Sequence, residues 1–178
     1  IHRDIKPGNI FAARIGGVAD VAKLLDFGLV KPLLEDNPLH LTGEGTITGS
    51  PLFMAPEQAM GESHPDARSD IYSLGAVAYF LLTGRPPFQA DRAIQVLLAH
   101  VREEVTPPSQ LRGDVPTDLE QVVLRCLAKL PADRYADVPS LVAALDECEA
   151  AGAWSRARAA QWWQDIHCPL PGSVAVSG

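Results

Sequence analysis

The residues able to do chemistry stand near the start of the chain. His2-Arg3-Asp4-Ile5-Lys6-Pro7-Gly8-Asn9 places a carboxylate, an ammonium and an amide in one short stretch, and Asp26-Phe27-Gly28 adds a second carboxylate downstream. Phosphoryl transfer asks a protein for a positioned hydroxyl, neutralised phosphates and an in-line geometry. Asp4 suits the carboxylate that aligns a hydroxyl and accepts its proton. Lys6 is a positive charge within reach of a moving phosphoryl group. Asn9 offers an amide oxygen and Asp26 a carboxylate to divalent ions, which prefer hard oxygen ligands. Gly28 lets the backbone turn sharply after the metal ligand. No other set of residues in the chain supplies this combination.

Around these residues the pattern predicts two short strands and then a mostly helical body. Ile10–Arg14 and Val21–Leu25 are short apolar runs, and Gly16-Gly17 between them suits a hairpin turn. Val30–Ser50 is rich in Pro, Gly, Thr and acidic residues without periodicity and reads as a long loop. Glu57–Met60 suggests a turn of helix. Asp66–Thr83 reads as a central buried helix, apolar nearly all round, between Pro65 and Gly84. Arg92–Val101, Thr117–Leu130 and Val138–Ala151 follow, with breaks expected at Pro107-Pro108 and Pro131. In the second of these, Asp118, Val122 and Arg125 are assigned to a polar face, and Leu119, Val123 and Leu127 to an apolar one. The fold class is therefore mainly α with a small β-hairpin.

Composition narrows the function classes. The 178 residues suffice for one domain with a substantial core. A net charge of −7 argues against non-specific nucleic-acid binding. Cys126, Cys148 and Cys168 are far apart and odd in number, so neither a zinc site nor a disulfide framework is expected. No apolar run reaches membrane-spanning length. Ile1 rather than Met opens the chain, which suggests a start inside a longer protein.

Residues 1–150 resemble the C-terminal lobe of a bacterial-type serine/threonine protein kinase. The likeness rests on several motifs in order. They are the His2–Asn9 loop, Asp26-Phe27-Gly28, Gly49-Ser50-Pro51-Leu52-Phe53-Met54-Ala55-Pro56-Glu57-Gln58, Ser69-Asp70-Ile71-Tyr72-Ser73-Leu74-Gly75, Leu82-Thr83-Gly84-Arg85-Pro86-Pro87-Phe88 and the late Arg134. Lys6-Pro7-Gly8-Asn9 is similar to the serine/threonine version of the loop.

The resemblance implies ATP and magnesium (or manganese) as cofactors, and serine or threonine hydroxyls of other proteins as substrates. It implies catalytic roles for Asp4, Lys6, Asn9 and Ser50, with Ser50 contacting Asp4 and Lys6. Nucleotide contacts fall to Lys6, Asn9, Asp26 and Phe11, the last under the adenine, and metal ligation to Asn9 and Asp26. His2 and Phe27 would join a hydrophobic column between lobes. Asp70 would be a buried acceptor for backbone amides of the His2–Asp4 loop, and Glu57 and Arg134 a buried ion pair. Arg3 would pair with a phosphate on the activation loop, where Thr42, Thr46 and Thr48 are candidates and Thr46 or Thr48 is favoured. Read alone, Asp70 and Glu57 would serve equally as helix-start acids, and Arg134 as a surface charge.

The same resemblance expects an upstream lobe with a glycine-rich cover and a lysine for the phosphates. Neither is found in these residues, so the chain alone is expected to be inactive. A cytoplasmic kinase domain is implied, within a parent protein that in many bacterial relatives is membrane-anchored; a homodimer is a further candidate assembly. Residues 151–178 form an extension, a Trp-containing helix packing its tryptophans on the body and then a flexible tail. Two other readings stand beside the kinase: a small-molecule phosphotransferase of related fold and a non-catalytic interaction fragment. The Ala-Pro-Glu ending and the Ser69–Gly75 helix start weigh against the first, and the intact loop chemistry against the second.

Overall fold

The structure, a computed structural model, describes residues 1–25, 51–62 and 66–165. The long loop expected over Val30–Ser50 lies outside them. After a 3-10 turn at Pro7–Asn9 come strands β1 (Ile10–Ile15) and β2 (Val18–Leu24), paired antiparallel with Ile10 opposite Leu24 and Ala13 opposite Val21. Gly16 and Gly17 make the turn, both with positive φ (57° and 82°), as a two-residue hairpin turn of the primed type requires. Strand β2 starts earlier than its apolar run suggests, because the ladder absorbs an irregularity between Ala13 and Ile15.

The helices are α1 (Pro56–Ala59), α2 (Ala67–Thr83), α3 (Ala93–Arg102), α4 (Pro108–Leu111), α5 (Thr117–Cys126), α6 (Val138–Asp146) and α7 (Arg156–Asp165). Asp66 caps α2, its carboxylate accepting from the Arg68 amide at 2.8 Å, and the Gly84 amide closes it on the Phe80 carbonyl at 2.8 Å. The Pro107-Pro108 break instead starts α4, since proline suits a first helical turn.

Helix α2 is the centre of the body. Tyr72, Ala76 and Tyr79 pack against Ala55, Val123 and Leu127 on one side. On the other, Ile71 packs with Val122, Cys126, Tyr135, Leu141 and Cys148. Val122 is thus a core residue and not part of a polar face. Gly75 lets α2 come close to α5: a Cβ there would stand 2.5 Å from the Cys126 Cβ. Helix α2 is not covered all round, because Leu81 is 71% exposed and Leu74 also reaches solvent. Cys126 and Cys148 are free and buried, and burial pushes the Cys126 thiol up to about 12.

Two helices end before their apolar pattern does. Helix α5 stops at Cys126 instead of Leu130, and in the segment after it the Ala128 and Lys129 carbonyls accept from Arg134 at 2.8 and 2.9 Å. Helix α6 stops at Asp146, and the following turn is held by the Glu149 amide donating to Asp118 Oδ2 at 2.6 Å.

Candidate functional site

The loop ahead of β1 gathers the chemical residues. Asp4 Oδ2 lies 2.7 Å from the Lys6 ammonium and accepts from the Asn9 side-chain amide at 3.0 Å. The same Asn9 nitrogen donates to the Asp4 carbonyl at 2.8 Å. With the amide nitrogen of buried Asn9 spent on Asp4, its Oδ1 has no donor among the described residues. An oriented, uncommitted amide oxygen fits a hard divalent cation. Asp4 is only partly exposed, and its second oxygen, Oδ1, is not engaged by Lys6 or Asn9.

Three anchors set this loop. Asp70 Oδ2 accepts from the His2 amide at 2.6 Å, and Oδ1 from the Arg3 amide at 2.8 Å. The Gln58 side chain donates to the Arg3 carbonyl at 3.3 Å. Arg3 sits between these clamps with φ of 69°, a left-handed conformation that a non-glycine residue holds only when its surroundings impose it. Asp70 is partly buried, not fully, because it sits at the mouth of the loop it holds. Buried His2 bridges onward: Nδ1 accepts from the Asp4 amide at 3.3 Å and Nε2 donates to the Leu25 carbonyl at 3.2 Å, which assigns the ring proton to Nε2. The Leu25 amide donates to the Asn9 carbonyl at 2.8 Å, so both ends of the hairpin are tied to the loop.

Beneath these anchors lies the Glu57–Arg134 pair. Arg134 is 2% and Glu57 3% exposed, with two parallel bonds of 2.7 and 2.8 Å between them. All five guanidinium N–H groups are used: two on Glu57, and one each on the Ala128, Arg68 and Lys129 carbonyls. Ser69 Oγ donates to Glu57 at 2.5 Å, and Tyr72 lies under the guanidinium. Burial pushes the Glu57 carboxyl up, but the bonds from Arg134 and Ser69 and the Arg134 charge outweigh it and leave it below its ordinary value. The network joins α1, the start of α2 and the segment after α5, which fixes both Gln58 and Asp70 relative to the loop.

Phe11 lies on β1 and is 57% exposed. Asp26, Phe27, Gly28, Ser50, Thr42, Thr46 and Thr48 lie outside the described residues. Gln58 and Ser69 were not singled out from sequence. A glutamine three residues after the residue that precedes a short helix is a capping signal, and Gln58 Oε1 does accept from the Ala55 amide at 3.2 Å. Its second role on Arg3 has no local signal. His100 was also missed: it is fully buried between Tyr72, whose hydroxyl is 2.7 Å from Nδ1, and Phe88, and burial with the nearby Lys129 charge lowers it to about 4.

Residues 1–145 match the family described as protein kinase domain. The serine/threonine-protein kinase Pkn1 of Myxococcus xanthus is 46% identical over 145 residues, 82% of this chain and 20% of its own length. PknB of Mycolicibacterium smegmatis is 45% identical over 135 residues, 76% of this chain and 21% of the relative. PknB of Mycobacterium tuberculosis is 44% identical over the same share. The chain spans about a fifth of the length of these relatives.

Proposed function

The chain belongs to the protein kinase family, and from that footing we propose that it forms the catalytic-loop half of an ATP-dependent protein serine/threonine kinase. The observation that carries this reading is the Asp4 carboxylate shared between Lys6 and Asn9. Asp4, with one oxygen uncommitted to those partners, aligns the incoming hydroxyl and accepts its proton. Lys6, already beside Asp4, meets the charge that develops on the transferred group. Asn9 would hold the metal that accompanies ATP through its amide oxygen, and Asp26, outside the described residues, would add a carboxylate. Magnesium, or manganese, supplies neutralisation of the phosphate charge when bound. Ser50 is read as a hydroxyl contact to Asp4 and Lys6, and Phe11 as the apolar surface under the base.

Protein hydroxyls are the proposed acceptors because the similar proteins named above are serine/threonine-protein kinases. The identity to them, together with the Ala55-Pro56-Glu57 ending, disfavours a small-molecule phosphotransferase. Activation is read as phosphorylation of Thr46 or Thr48, with Arg3 as the pairing group. The Arg3 side chain is exposed, and its recorded bonds among the described residues are all made by its backbone. These residues hold no glycine-rich cover for the nucleotide, so by themselves they are expected to turn over negligibly.

Incubation of the full-length protein with ATP labelled at the terminal phosphate, followed by acid hydrolysis, tests this. The reading expects label in phosphoserine and phosphothreonine of a protein acceptor. Label confined to a small molecule, or no label with magnesium and manganese both supplied, would overturn it.

A further inference from the structure

Residues 154–163, beyond the family match, meet the hairpin. Trp154 Nε1 donates to Asp20 Oδ2 at 2.6 Å, and Trp163 Nε1 donates to Asp20 Oδ1. Both oxygens of one carboxylate are therefore held by indoles far away in sequence. Trp162 bridges the two edge to face, with ring centres 6.4 Å from Trp154 and 5.6 Å from Trp163. The tryptophans thus settle on the hairpin, not on the helical body as expected from sequence.

Asp20 is itself unusual. The pairs Ala13–Val21 and Ile15–Val18 enclose Arg14 on β1 against Ala19 and Asp20 on β2, one residue facing two. This is a β-bulge, which re-aims a side chain. Asp20 occupies it with φ of 55°, left-handed backbone that aspartate tolerates better than most residues but not without cost. A strained position that aims a carboxylate at two donors calls for a role.

The hairpin's situation supplies one. Among the described residues it is a two-stranded sheet, and two strands depend on what packs against them. Among the described residues, apart from the Pro7–Asn9 turn, the element packed substantially on it is α7, against β2. Its two ends are Asn9 and Leu25, joined by the Leu25 amide on the Asn9 carbonyl. We infer that Asp20 is a positioning residue: by seating Trp154 and Trp163 on β2 it braces the hairpin and so fixes Asn9 and Leu25 at the nucleotide end. The nucleotide part of this statement rests on the kinase reading above. The clamp ties residues beyond the family match to the proposed metal-ligand side chain, so whatever pulls on residues 154–163 changes the placement of Asn9.

The test uses the fact that the chain's three tryptophans all lie in this strap, so their emission reports its docking. Asp20→Gly relieves the left-handed backbone and deletes both acceptors, whereas Asp20→Asn keeps a residue tolerant of that backbone and retains one acceptor. The clamp predicts red-shifted, more quenchable emission and about tenfold faster exchange of the Leu25 amide in Asp20→Gly, with a smaller effect in Asp20→Asn. Trp154→Phe/Trp163→Phe, which keeps the rings and loses the N–H groups, should speed the same amide. In the full-length protein the Mg–ATP KM should rise in all three variants while the KM for a protein acceptor stays. If backbone strain alone mattered, Asp20→Gly would slow exchange, and that result, or unchanged emission and exchange, overturns the inference. Faster Leu25 exchange in variants whose full-length protein binds no Mg–ATP even as wild type would uphold the clamp and refute the kinase reading instead.

Discussion

Asp70 holds Arg3 through the backbone, with its carboxylate accepting the Arg3 amide at 2.8 Å and the adjacent His2 amide at 2.6 Å. The residue before Asp4 is thereby fixed in a left-handed conformation it would not keep by itself. The link runs from the first turn of α2 to the loop that carries the proposed base. It is a matter of placement and not of contact with a substrate.

Asp70→Asn keeps the shape but offers one acceptor oxygen for two amides. Losing such a bond costs about 1–3 kcal/mol where the donor stays buried. We expect kcat of the full-length protein to fall about tenfold or more, since small misplacements of a catalytic group are costly. The protein-acceptor KM should hold. Steady-state kinetics would check it, with a melting curve to show that the fold survives.

Breaking the Glu57–Arg134 pair should act on stability first. Arg134→Met leaves a buried carboxylate stranded and three carbonyls without their donor, so a loss of about 3–5 kcal/mol is expected in urea unfolding. Adding Glu57→Gln should return part of it. Because Glu57 lies below its ordinary value in the fold, its contribution is present above the ordinary carboxylate range and is lost as pH falls below it. The double variant should therefore lose less than wild type between pH 7 and pH 3.

His100 makes a separate acid sensitivity. It titrates near 4 in the fold against an ordinary value near 6.5, so the unfolded chain binds the extra proton between those limits. Stability tied to the neutral ring is complete above pH 6.5 and falls as pH drops towards 4. At about 1.4 kcal/mol per unit, roughly 2 kcal/mol should be gone by pH 5. Among the described residues Nε2 is the buried side-chain polar atom without a well-formed hydrogen bond, and the Leu52 and Pro51 backbones offset the downward shift only in part. His100→Gln should flatten the pH 5–7 slope in equilibrium unfolding, and a slope unchanged by that substitution would assign it elsewhere.

Gly75→Ala places a methyl 2.5 Å from the Cys126 Cβ, where both partners are on packed helices. Overpacking of this kind costs about 1–3 kcal/mol. The melting temperature should drop, and Cys126→Gly in the same chain should restore much of it.

Much of the scaffold was legible because its signals are local. Asp66 and Gly84 bracket α2, Gly16-Gly17 mark the hairpin, and the close spacing within His2–Asn9 lets Lys6 and Asn9 both reach the Asp4 carboxylate. What escaped the sequence depends on distant partners. The apolar pattern of α5 runs on to Leu130, and nothing local says that Arg134 will claim the Ala128 and Lys129 carbonyls. Gln58 reaches Arg3 across 55 residues, and Asp20 meets Trp154 and Trp163 across 134 and 143. Helix α2, read as enclosed, leaves Leu74 and Leu81 open because helical hydrophobicity alone does not say which neighbours cover it.

The central claim is that Asp4 is the group that takes the acceptor hydroxyl's proton, and one comparison tests it most directly. Single-turnover transfer from labelled ATP to a protein acceptor is measured for full-length wild type and Asp4→Asn, with Mg–ATP binding followed in parallel. The account predicts that Asp4→Asn binds Mg–ATP but transfers about a hundredfold or more slowly. Transfer at the wild-type rate by Asp4→Asn would contradict it.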